Sequence, residues 1–150
     1  MKKPYFPLFT DISQKKILIV GAGKIAQRRV ETLLEFADNI RVAAPQATDR
    51  IRQLHEEKRI LWIQDSYRAD LLKGADLVLA ATDDPVCNEQ VIEDCRMRGI
   101  PVNTSHKKEL CDFYFPAIVR QGDLTIGISS GGCNHSEVKE TRKKLERTLK

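Results

Sequence analysis

The sequence predicts an α/β protein: a Rossmann-like doubly wound parallel sheet followed by a β-hairpin and a last helix. Three observations predict it. Short apolar runs such as Ile17 to Val20 and Leu77 to Ala81 have the length and continuity of strands buried on both faces. Stretches with apolar residues at helical spacing lie between these runs, so strands and helices alternate. After residue 110 the alternation stops, and two apolar runs flank a glycine-containing turn in the manner of an antiparallel hairpin.

Tyr5-Phe6-Pro7-Leu8-Phe9 comes first, with aromatics placed to close one edge of the core, and Asp11-Ile12-Ser13-Gln14 is a turn. The first strand, Ile17 to Val20, runs straight into Gly21-Ala22-Gly23 and then a helical pattern through Val30, Leu33 and Leu34. The spacing Gly21, Gly23, Ala26 is G-x-G-x-x-A. Gly21 permits the sharp turn, Gly23 lets the backbone approach a diphosphate, and Ala26 lets the helix pack closely on the strand. The N–H groups at such a helix start face the phosphates, and the helix dipole favours their charge. A second strand, Ile40 to Ala44, follows at the spacing of a βαβ unit. The expected nucleotide therefore lies over Gly21, Gly23, Lys24 and Ile25, with its adenosine side near Ala43, Ala44 and Pro45. No Asp or Glu ends that second strand to hold a ribose 2′-hydroxyl, so spacing alone leaves NAD and NADP both open.

Thr48 to Glu57 reads as a short helix with Ile51 and Leu54 on one face, and Ile60 to Ile63 as the third strand. Leu71 to Gly74 is a helical turn ended by glycine, and Asp76 to Ala81 is the fourth strand. Thr82-Asp83-Asp84-Pro85 carries helix-starting chemistry before Val86 to Arg98. Ligands of open parallel sheets sit outside the carboxyl ends of the strands, which makes Thr82 and Asp83 cofactor-side candidates; N-capping explains either equally well. Gly99 to Asn103 closes a fifth strand. Phe113 to Val119 and Leu124 to Ser129 flank Arg120-Gln121-Gly122-Asp123 as a hairpin too apolar to stand alone, so it extends the sheet or pairs with another subunit. Ser136 to Lys150 is a charged helix whose thin stripe, Val138, Leu145 and Leu149, calls for a partner or for more chain. The organisation read from these elements is a dinucleotide-binding Rossmann-like domain over residues 1–110 and a hairpin-and-helix segment over residues 111–150, which the family resemblance given below makes an NAD-binding domain and a dimerisation segment.

The 150 residues suffice for one core-forming domain, and their 41% hydrophobic content is ordinary for a soluble protein. Met1-Lys2-Lys3 is basic without an apolar signal core behind it, and no stretch reaches the length of a membrane span; the expectation is a cytoplasmic protein with no membrane partner. Cys87, Cys95, Cys111 and Cys133 form no C-x-x-C pair, which argues for reduced thiols and against a zinc knuckle. The net charge of +4 gathers toward the last third, in Lys107, Lys108, Arg120, Lys139 and Arg142 to Lys144. That bias suits a polyanion, and a solvated helix face explains Lys139 to Lys150 equally well. No nucleic-acid reading motif accompanies it, so nucleic acid is not an expected partner.

Together these blocks resemble the precorrin-2 dehydrogenase family, which includes the N-terminal part of siroheme synthase. The resemblance rests on Tyr5 to Phe9, the glycine turn with Lys24-Ile25-Ala26 and Arg28-Arg29-Val30, Ala43-Ala44-Pro45, Ala80 to Asp84 and Val102-Asn103. It continues through Leu110 to Ala117, Gly122 to Ile126 and Ser129 to Gly132. It implies NAD-dependent oxidation of precorrin-2 to sirohydrochlorin, in some members with ferrochelation, in a homodimer whose hairpins and following helices interlock. A hydride would pass to the nicotinamide while a proton leaves elsewhere, so the site needs a cofactor cradle and a group able to accept a proton or order the substrate.

Under that resemblance Asn103, Lys108 and Gly131 are candidates for binding the polycarboxylate substrate, and Ser130 for a catalytic role; a strand-ending turn accounts for Ser130 as well. Family members place an aspartate where this chain has His106, so His106 becomes the candidate for proton transfer, and a proline where it has His135. The metal ligands stay unassigned, since sequence does not say whether His106, Cys111, Cys133 and His135 approach one another. The alternative to an enzyme is a carrier module of the same fold that binds tetrapyrrole or metal with weakened redox chemistry.

Overall fold

The computed structural model describes residues 3–150, so Met1 and Lys2 of the basic start lie outside the described residues. Strand β1 (Lys16–Val20) is followed by helix α1 (Lys24–Leu33), β2 (Asn39–Ala43), α2 (Asp49–Glu56) and β3 (Leu61–Ile63). A 3-10 turn (Ala69–Leu72) leads to β4 (Leu77–Ala80), α3 (Pro85–Met97) and β5 (Val102–Thr104). All five strands are parallel and lie in the order β3-β2-β1-β4-β5. The chain thus steps outward from β1 in one direction, returns, and steps outward in the other. Right-handed crossovers send α1 and α2 to one face and α3 to the other, which is the doubly wound α/β arrangement.

β1 is the middle strand, and Ile17, Leu18 and Ile19 have no solvent-exposed surface. Alternation divides them between the two faces. Leu18 and Val20 join Val78, Ala80 and Val102 in a cluster with Val91, Ile92 and Cys95 of α3. The 3-10 turn adds Leu71 and Leu72 to that cluster. Thr48 caps α2 by accepting the Ile51 N–H, and Asp84 caps α3 by accepting the Val86 N–H, with Pro85 in the first helical turn. Gly74 takes a φ of +78°, which lets the chain turn into β4.

Residues Thr10–Phe113 form one compact unit. The second unit comprises residues 3–9 with Tyr114–Lys150. Within it, β6 (Ala117–Gln121) and β7 (Leu124–Ile128) pair antiparallel, with Gln121 opposite Leu124 across a Gly122-Asp123 turn, before α4 (His135–Thr148). The first hairpin strand is shorter than its apolar run, because Pro116 has no N–H to give a ladder. α4 begins at His135 with Asn134 accepting the Glu137 N–H, one residue earlier than the charge pattern suggests. The aromatics of residues 5–9 do not close a core edge: Phe6 and Phe9 are 85% and 74% exposed, while Tyr5 stacks on Tyr114 at 4.0 Å. Among the described residues no helix is long and apolar enough to cross a membrane.

Candidate nucleotide site

The sheet order reverses at β1 and β4, where Gly21 turns the chain out of β1. Its φ of +113° excludes an ordinary side chain, and a Cβ there would lie 2.4 Å from Ala81 O and 3.0 Å from Thr82 N. Both backbones at this closure are fixed, by Gly21 N–H to Ala43 O at 2.9 Å and by Ala81 N–H to Val20 O at 2.8 Å. Gly23 is different. It sits at the N-cap with φ −85°, accessible to any residue, and a Cβ on it would meet nothing within 4 Å. Its missing side chain leaves open space directly in front of α1.

That space faces an unusual helix start. α2, α3 and α4 are each capped by a side chain, whereas α1 has no side-chain cap and no acid in its first turn. Among the described residues no side chain caps the first-turn N–H groups of α1, which the helix itself leaves unpaired, and the dipole adds positive potential. A diphosphate fits this cradle in charge, in hydrogen-bonding capacity and in room.

A cleft of about 920 Å³ extends from it, and Gly21, Gly23, Lys24, Ile25, Ala43, Ala44, Pro45, Thr82 and Asp83 all line it. Every residue read as cofactor-side from the sequence is thus brought to one cleft, together with Gln46, Ala47, Thr48, Ser66, Tyr67, Asp84 and Cys87, which sequence reasoning missed. At the β2 end the wall is held by Trp62, whose Nε1–H donates to Ala44 O at 2.9 Å, and by Thr48 N–H to Ala22 O at 3.0 Å. Burial and the nearby Asp84 carboxylate push the Cys87 thiol up, so it is protonated at neutral pH.

At the β4 end, Thr82 is already committed. Its hydroxyl lies 2.7 Å from Asn88 Oδ1 and accepts the Asp84 N–H at 3.1 Å. Its backbone N–H donates to Asn88 Oδ1 at 3.1 Å, and its carbonyl accepts from Asn88 Nδ2 at 3.0 Å. Asp84, not Thr82, is the helix cap. Asp83 is exposed beside it. A signal for Asn88 exists in the sequence: Asn88, Val91, Ile92 and Cys95 form one buried stripe of α3, and a polar residue on such a stripe needs a partner.

The remaining candidates separate. Asn103 is 6% exposed and turned inward, donating to Phe113 O at 2.9 Å. Its neighbour Cys111 is buried, accepts the Thr104 N–H at 3.3 Å, and has its thiol pushed up by burial. The His106 Nδ1 lies 2.7 Å from Thr104 Oγ1. Its Nε2 is buried without a hydrogen-bond partner among the described residues, 3.8 Å from Glu89 Oε1. Lys107 Nζ, at 2.6 Å, holds that carboxylate and lowers its pKa. Lys108 is exposed at the start of a 3-10 turn (Lys108–Leu110). In the second unit, Ser130 Oγ accepts the Asn134 N–H at 2.9 Å and Gly131 N–H donates to Ser129 Oγ at 3.1 Å, so both help shape the turn into α4. Among the described residues, no three His, Cys, Asp or Glu side chains gather as metal ligands.

Comparison with known proteins gives three kinds of relationship. A siroheme synthase from Psychrobacter sp. (strain PRwf-1) is 40% identical over 94% of this chain, which covers 29% of that protein. The probable multifunctional siroheme biosynthesis protein HemA of Ruminiclostridium josui is 38% identical over 95% of the chain and 28% of that protein. The chain therefore spans less than a third of the length of these relatives. Among solved structures, SirC, a precorrin-2 dehydrogenase, shares the fold with a TM-score of 0.85 at 22% identity, over 97% of this chain and 71% of that one. The family model described as "Putative NAD(P)-binding" matches residues 8–117. Spanning the whole parallel sheet and its cleft, that match means that the chain belongs to this NAD(P)-binding family.

Proposed function

We propose that this chain oxidises precorrin-2 to sirohydrochlorin with NAD as hydride acceptor, as a step of siroheme biosynthesis. The observation that carries the nucleotide half is the open space at Gly23 in front of the uncapped start of α1. The substrate half is supported by the siroheme synthases at up to 40% identity and by the fold shared with a precorrin-2 dehydrogenase.

Oxidation removes two hydrogens, one as hydride and one as proton. NAD, when bound, supplies the hydride acceptor. The chain's own residues hold the diphosphate at the first turn of α1, while the wall at Ala43, Ala44 and Pro45 takes the adenosine side. His106 is the proposed proton acceptor, held by Thr104 with Glu89 beside its other nitrogen. Asn103, Lys108 and Gly131 are proposed toward the substrate, and Ser130 as a hydrogen-bonding group in catalysis. Residues 111–150 serve as the dimerisation segment of a cytoplasmic homodimer, beside the NAD-binding domain of residues 1–110. The apolar Phe6, Leu8 and Phe9, each at least 74% exposed and in the same compact unit as Tyr114–Lys150, support a partner for that unit. Ferrochelation by the same protein belongs to the proposal as a second activity.

A second reading has one observation in its favour. The His106 Nε2 is shut away from solvent, and its Nδ1 is engaged by Thr104. A carrier that binds tetrapyrrole with little redox turnover would need nothing more of that imidazole. NADH absorbance with precorrin-2 separates the two for wild type, His106→Asp and His106→Ala. The enzyme reading expects NADH from wild type, a large loss in His106→Ala and retention in His106→Asp. Absence of NADH in all three, with NAD still bound, favours the carrier.

A further inference from the structure

Asn88 is 1% exposed and is not part of the cleft wall, yet every polar atom of its carboxamide reaches Thr82, which is. The register of β4 with its neighbours ends at Ala80, so the Thr82 peptide has no strand partner. The Asn88 side chain replaces that partner, accepting the Thr82 N–H and donating to the Thr82 carbonyl as a neighbouring peptide would. The clamped segment is also the one pressed against Gly21, whose missing Cβ admits Ala81 O and Thr82 N. A shift at Asn88 therefore moves the cleft wall on the β4 side and leaves the β2 side, held by Trp62 and Thr48, in place.

We infer that Asn88 is a positioning residue for the nicotinamide half of the bound nucleotide, fixing the Thr82 to Asp84 wall without touching the nucleotide itself. The two halves of a doubly wound sheet each receive one mononucleotide, and β4 belongs to the half opposite the adenosine. This inference rests on the nucleotide reading of the cleft and adds to it a division of labour between the two walls.

Calorimetric titration of wild type, Asn88→Asp and Thr82→Val with NAD and with AMP tests it. Asn88→Asp keeps the shape but has no N–H for the Thr82 carbonyl, and its charge is buried. NAD affinity should fall about tenfold or more, the scale of one well-formed hydrogen bond lost, while AMP affinity stays within about twofold and reports an intact adenosine wall. Thr82→Val keeps the backbone clamp and should show a smaller loss for NAD alone; it carries the test if Asn88→Asp does not fold. Unchanged NAD affinity in the variants that fold, or equal losses for NAD and AMP, would overturn the inference. Wild type that binds neither nucleotide would overturn the cleft reading itself, and the inference with it.

Discussion

Replacing each turn glycine separately should divide structure from binding. Gly21→Ala puts a methyl group 2.4 Å from Ala81 O, at a φ of +113°. The backbone strain alone is about 1–3 kcal/mol. The overlap cannot relax cheaply, because β1 and β4 are hydrogen-bonded on both sides of it. A total cost of about 3 kcal/mol or more lowers Tm by at least about 12 °C in a unit of this size. Gly23→Val meets nothing within 4 Å and uses a φ of −85° that valine adopts readily. Loss of a favoured N-cap glycine costs up to about 1 kcal/mol, and reduced freedom of the unfolded chain returns about 0.4–1 kcal/mol. Its Tm should therefore stay within about 4 °C of wild type. The valine side chain occupies the space proposed for the diphosphate, so NAD affinity should fall at least tenfold, about 1.4 kcal/mol. Scanning calorimetry and titration calorimetry on the same samples read both quantities. A destabilised Gly23→Val with unchanged NAD affinity would refute the reasoning.

Three further outcomes are expected. Cys87 lines the cleft with a thiol pushed up by burial, so alkylation should be slow at neutral pH and accelerate only above the ordinary thiol range; saturating NAD should slow it further, as mass spectrometry of labelled peptides would show. Cys95, pushed up to about 12 by burial, should stay unlabelled throughout in the folded protein, and its rapid labelling would contradict the packing of α3 on the sheet. The proposed dimer predicts a concentration-dependent mass in light scattering. Phe6→Ser with Phe9→Ser should shift the protein toward monomer, whereas a monomer at every concentration would remove the dimerisation segment from the account.

The central sheet was legible because it depends on local pattern. Ile17 to Val20 is apolar throughout since β1 is covered on both faces, and Gly21 is glycine since the turn has no room for anything else. Element ends were less legible. Strand β5 lies at Val102–Thr104 rather than starting near Gly99, because its ladder begins only where it meets β4 at Val78. Long-range partners were not legible at all. His106 is flanked by Thr104, two residues earlier at the end of β5, but Glu89 comes from α3, and no spacing rule links the two. Asn88 lay between these cases: its stripe announced that a partner was needed, while the identity of that partner required the turn from β4 into α3 to be seen. The thin stripe of α4 was also visible in advance, and the structure buries none of its residues.

The most direct test of the account is where the nucleotide touches the chain. A titration of the uniformly labelled protein with NAD, followed by amide NMR, should give its largest shifts at the Gly23, Lys24, Ile25 and Ala26 N–H groups as they acquire phosphate acceptors, with smaller shifts at Ala43 to Gln46 and Thr82 to Asp84. Saturable binding that leaves the first turn of α1 unmoved, with its shifts gathered elsewhere in the chain, would contradict it.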